Sequence, residues 1–77
     1  MDLVYVKGPV CTAFFPVSKE GEVAWKAIAE KTDGTGKVFN SHLESALRQI
    51  REAGYFVSEM CGDSAMGVDQ IAQELSK

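Results

Sequence analysis

The sequence predicts a small α+β domain, ββααβα in element order, with a three-stranded, mainly antiparallel sheet and helices packed on one face. Three observations carry this prediction. Residues 3–15 are dense in β-formers and interrupted once by turn chemistry. Ser41–Met60 reads as a complete helix-then-strand unit, and Val68, Ile71, Ala72 and Leu75 recur at helical spacing.

Taken in order, Leu3-Val4-Tyr5-Val6 favours a strand, Lys7-Gly8-Pro9 turns the chain, and Val10–Phe15 resumes it, so residues 3–15 read as a hairpin. Pro16 lacks a ladder donor, so the second strand is expected to end there or lie at an edge. Ser18 suits an N-cap for a helix running to about Lys31. Val23, Ala24, Ala27 and Ile28 would form its apolar stripe, with Trp25 on the flank. Glu20 and Glu22 near its start and Lys31 near its end complement the helix dipole. Thr32-Asp33-Gly34-Thr35-Gly36, continued by Lys37 to Asn40, then reads as a loop.

Ser41 and Glu44 have the spacing of a capping box. Leu43, Ala46, Leu47 and Ile50 recur at i, i+3, i+4 and i+7, predicting a helix over about 42–53. Gly54 stands where a left-handed C-terminal cap belongs. Tyr55, Phe56 and Val57 open a strand over about 55–60. A turn at Gly62-Asp63-Ser64 leads to the short C-terminal helix. The third strand would run opposite to the second and extend the hairpin. Both faces of that hairpin are apolar, and helices on one face would leave a patch exposed for a partner.

Seventy-seven residues allow one domain, spanning 1–77. The 45% hydrophobic and 25% charged content is that of a globular chain, not a disordered tail. A net charge of −3 argues against general nucleic-acid binding, whose affinity rests on neutralising phosphates. Cys11 and Cys61 make no disulfide framework and read as reduced, semi-buried thiols. MDLVYVKGP carries an acid rather than a basic n-region, and no run approaches the roughly 18 apolar residues of a membrane span. A cytoplasmic protein without membrane contact is the resulting expectation.

Motifs that would carry chemistry fall short of their requirements. Asp33-Gly34-Thr35-Gly36-Lys37 resembles a phosphate loop, but Lys31 holds the first glycine position and Val38 the hydroxyl position. A flexible turn is the simpler reading. Gly62-Asp63-Ser64 would need glycine at Met66 to make a nucleophile elbow, and His42, the one histidine, is remote in sequence. Cys11, Cys61 and His42 lack metal-ligand spacing. No catalytic residue, cofactor or metal is therefore assigned.

Residues 25–57 loosely resemble a helix-turn-helix leading into a wing. Residues 42–53 would then be the recognition helix, with His42, Arg48 and Arg51 facing DNA and Lys37 touching phosphate. Glu44 and Glu52 among those arginines favour a solvated surface instead, with Glu44–Arg48 as an i,i+4 pair. The aromatic residues are read first as core, except Phe39, which sits outside the helical stripes beside Lys37 and suits a partner-facing role. The expected function is a non-enzymatic interaction module of the adaptor, inhibitor or mobile-element accessory kind. Such a module would present an apolar and acidic surface to a protein partner or to itself, through Lys37, Phe39, Arg48 and Arg51. A DNA-binding regulator using residues 42–53 is the alternative.

Overall fold

The computed structural model describes residues 2–61 and 68–76. Its elements are β1 (Leu3–Lys7), β2 (Cys11–Pro16), α1 (Lys19–Lys31), β3 (Lys37–Phe39), α2 (Leu43–Glu52), β4 (Val57–Cys61) and α3 (Val68–Leu75). The α+β class is as predicted, but the sheet has four strands in the order β3-β2-β1-β4 and is mixed. None of the described helices is long and apolar enough to cross a membrane.

The hairpin forms as read from sequence. Leu3 lies opposite Pro16 and Lys7 opposite Thr12, and the Gly8 N–H closes the turn on the Cys11 carbonyl at 3.0 Å. β3 forms where the sequence predicts a loop. Only Val38 of its three residues is buried, which is too short a pattern for periodicity to reveal. It pairs antiparallel with β2, Val38 opposite Thr12. This also corrects the placement of β4. It runs opposite to β2, as expected, but β3 occupies the free edge of β2. β4 therefore joins the other side of the hairpin and lies parallel to β1, Leu3 beside Val57.

One face of the sheet carries α1 and α2. Its core joins Leu3, Tyr5, Phe14, Trp25, Ile28, Val38, Leu43, Ala46, Leu47 and Ile50. Phe14 stacks on Trp25 with ring centroids 4.9 Å apart and tilts against Tyr5 at 5.8 Å. The stripe of α1 is rotated by about one position from the predicted one. Gly21, Ala24, Trp25, Ile28 and Ala29 are buried, whereas Val23 is 69% exposed. Trp25 sets that phase, because its large apolar surface outweighs the smaller area of Val23 or Ala27. Gly21 lets the helix approach the N-terminal segment, since a Cβ there would collide with the Asp2 carbonyl.

The second face corrects another expectation. α3 packs on it, with Ile71 against Val6 and Phe15, and Ala13 and Leu75 at the margin. Val6 and Phe15 are buried with Ile71, and Val4 is buried as well, so the apolar patch predicted on the hairpin is covered.

Caps explain how the helices begin and end. The Ser18 hydroxyl accepts from the Gly21 N–H at 3.0 Å and donates to the Asp2 carboxylate at 3.0 Å. The Ser41–Glu44 capping box is not formed; His42 is the N-cap of α2 and makes no side-chain cap. A 3₁₀ turn, Asn40–His42, leads into the helix instead. Asn40 holds that turn against the hairpin, accepting from the Thr12 hydroxyl at 2.8 Å and donating to the Gly8 carbonyl at 3.0 Å. At the other end Gly54 has φ +91 and donates to the Arg51 carbonyl at 2.9 Å, while Tyr55 N–H reaches the Ile50 carbonyl at 3.4 Å. That pair of bonds is a Schellman motif, and it aims the chain into β4.

Candidate functional site

A groove of about 410 Å³ opens between the C-terminal end of α1, β3 and the start of α2. Its lining includes Val38 and Ala46, two buried core residues. Lys31, Asp33, His42 and Gln49 add polar groups, and Phe39 borders it. An apolar floor with a few polar groups is the usual composition of a site for a side chain or small ligand. The sequence gives a local reason for its shape. Thr32 ends α1 by donating from its hydroxyl to the Ala29 carbonyl at 3.1 Å, and Gly34 and Gly36 then take φ +75 and +80.

The turn between α1 and β3 is bound up with itself. Asp33 accepts from the Thr35 N–H and hydroxyl, both at 3.0 Å, and the Thr35 hydroxyl accepts from the Lys37 N–H at 3.2 Å. A phosphate cradle needs such N–H groups turned outward. Here a carboxylate and a hydroxyl occupy them.

The four residues expected to meet a partner fall on two surfaces. Lys37 and Phe39 are exposed on β3, Phe39 by 62%. Arg48 and Arg51 line a separate, shallow depression with Glu44, Leu47 and Glu52. On the α2 wheel, Ser45 and Gln49 lie on the groove flank, whereas Glu44, Arg48 and Arg51 lie on the other. Arg51 acts electrostatically on Tyr5, as does Glu59 of β4. Burial, then the Glu59 carboxylate that hydrogen-bonds it, holds the Tyr5 phenol above the usual tyrosine range, against an opposing pull from Arg51. The arginine flank is therefore interleaved with acids.

The helix-turn-helix geometry is absent among the described residues. β3 stands between α1 and α2 and is hydrogen-bonded into the sheet, and β4 is a sheet edge rather than a projecting wing. Gly62-Asp63-Ser64 and Met66, considered for a nucleophile elbow, lie outside the described residues. Cys11 is half-buried and Cys61 exposed, and both thiols are free. Among the described residues no three His, Cys, Asp or Glu side chains gather as a metal site requires.

Two features had no counterpart in the sequence reading. The first is the Thr12–Asn40–Gly8 network, which polar residue types alone do not betray. The second is Phe56, expected in the core but 76% exposed just before β4, together with Met60 at 38% on β4. The alternation of β4 carried that signal: Val57 joins the core beneath α2, which turns Phe56 and Met60 the other way.

No protein-family model matches the chain, and neither characterised proteins nor solved structures match it at a significant level.

Proposed function

We propose that the protein is a small, non-enzymatic interaction module that receives an apolar side chain of a protein partner in the groove between β3 and α2. The observation that supports this reading most is the exposed Phe39 beside a concave, apolar-floored groove. Exposed aromatics next to concave apolar surface are typical anchors of protein interfaces. Lys31 and Asp33 give the groove charges of both signs, and His42 a further polar group, with which to orient a peptide.

The test compares capture from native cell extract by the wild type, Phe39→Ser, Ser45→Trp and Val23→Ser. Phe39→Ser removes the anchor and Ser45→Trp fills the groove, whereas Val23 is exposed elsewhere. A partner retained by wild type and Val23→Ser but lost by both groove variants supports the reading. Equal retention by all four contradicts it.

A further inference from the structure

The two outer strands of the sheet differ in what their main chains offer. Phe14 N–H donates to the Gly36 carbonyl at 3.0 Å, which continues by one residue the β2–β3 register that sets Ala13 opposite Lys37. Alternate residues of β3 bond to β2, so Val38 points inward and Lys37 and Phe39 point outward. The outward Lys37 N–H is already taken by the Thr35 hydroxyl. β3 is also only three residues long. Short length, a lysine and a capped N–H are recognised protections of a sheet edge.

β4 has no such protection among the described residues. Leu3 N–H donates to the Phe56 carbonyl at 3.3 Å, which fixes the phase of the parallel β1–β4 ladder. Ser58 and Met60 then bond to β1 through their main chains. The N–H and C=O groups of Val57, Glu59 and Cys61 face outward, and no described strand lies beyond them. On the α3 side stand Met60 and, one residue before β4, Phe56, two of the exposed large apolar residues.

From this geometry we infer that β4 pairs antiparallel with β4 of a second copy, about a two-fold axis at Ser58, joining two sheets into one. The register follows from elimination. Outward groups meet outward groups only when the axis passes through a residue, not between two. An axis at Glu59 would set two carboxylates directly opposite, which is destabilising. An axis at Met60 would leave Phe56 facing past the partner's strand, and one at Val57 would leave Met60 opposite Gly54, outside it. An axis at Ser58 brings Phe56 of each copy against Met60 of the other, in the non-hydrogen-bonded positions where side chains approach most closely. Thioether–aromatic contact is favourable, and both exposed apolar side chains are covered. On the opposite side Glu59 lies against Val57 of the other copy, which sets the two Glu59 carboxylates diagonally apart rather than directly opposite. The surface is self-complementary, as a two-fold interface must be.

This pairing involves neither Phe39 nor the groove, so it stands or falls separately from the partner-binding reading. The full chain is examined by sedimentation equilibrium over a concentration series, as wild type, Phe56→Lys and Phe39→Ser. The expected result is a monomer–dimer equilibrium, unchanged by Phe39→Ser and weakened at least tenfold by Phe56→Lys. Circular dichroism checks that Phe56→Lys stays folded, as its exposure implies. Independently, Ser58→Cys in a Cys11→Ala, Cys61→Ser background is expected to oxidise to a dimer linked 58 to 58, read by mass spectrometry. A wild type that is monomeric throughout, or a dimer insensitive to Phe56→Lys and not cross-linked through position 58, would overturn the inference.

Discussion

The β3 and β4 edges close the same sheet and are built by opposite means. β3 is three residues long, yet it is tied in from all sides. Val38 sits in the core, Thr12 and Asn40 bind the following turn to the hairpin, and Thr35 caps the outward Lys37 N–H. β4 is five residues long and sits beside β1 along its whole length. Among the described residues no strand pairs with its outer side, and Met60 and Phe56, the residue just before β4, are exposed. One edge is finished within the chain; among the described residues the other is left open.

Substitutions that strike these anchors test the contrast. The largest effect is expected at Ile50, fully buried in the core beneath α2, whose carbonyl also receives the Tyr55 N–H that leads into β4. Ile50→Ala is expected to cost about 2–5 kcal/mol in urea unfolding. A loss below about 1 kcal/mol would mean that the packing under β4 is looser than described. Next comes Asn40→Ala, which leaves the fully buried Thr12 hydroxyl without its acceptor. The expected loss is about 1–3 kcal/mol. Hydrogen exchange should locate it at the β3 end and leave β4 amides unaffected; uniform loss across the sheet would erase the distinction between the edges.

Gly54→Ala forces a Cβ onto a residue with φ +91 and is expected to cost about 1 kcal/mol, with exchange rising first in β4. Thr35→Ala should change stability by less than about 0.5 kcal/mol, because the residue is exposed. Its readout is the Lys37 amide, which should exchange faster than in wild type once uncapped. The last effect is pH-dependent. The Tyr5 phenol holds its proton more tightly in the fold than in the unfolded chain. That contribution is fully present below the ordinary tyrosine value of about 10 and is lost as pH rises through the raised one. Stability of wild type should therefore fall above pH 10 more steeply than that of Tyr5→Phe.

The sequence foretold what is local. Ser18 as a cap, Gly54 as a left-handed terminus, the Leu43-Ala46-Leu47-Ile50 stripe and the Gly8 turn depend on residues a few positions apart. What it withheld depends on distant pairing. Val38 is buried only because Thr12 stands opposite, and a three-residue strand has no period to read. Ser41 and Glu44 match a capping box, but Asn40 answers to Gly8 and Thr12 across the sheet and the helix starts on a 3₁₀ turn instead. Phe39 was placed correctly as exposed, since it falls outside every stripe. Phe56 was not, because its face follows from the side of β4 that α2 covers.

Amide hydrogen exchange followed as a function of protein concentration tests the open edge most directly. The Val57, Glu59 and Cys61 N–H groups point away from β1 and should exchange freely in dilute protein. They should gain protection as concentration rises, while Lys37 and Phe39 of β3 stay unchanged. Outward β4 amides that exchange at the same rate at every concentration, or protection that appears on β3 instead, would contradict the assignment of β4 as the pairing edge.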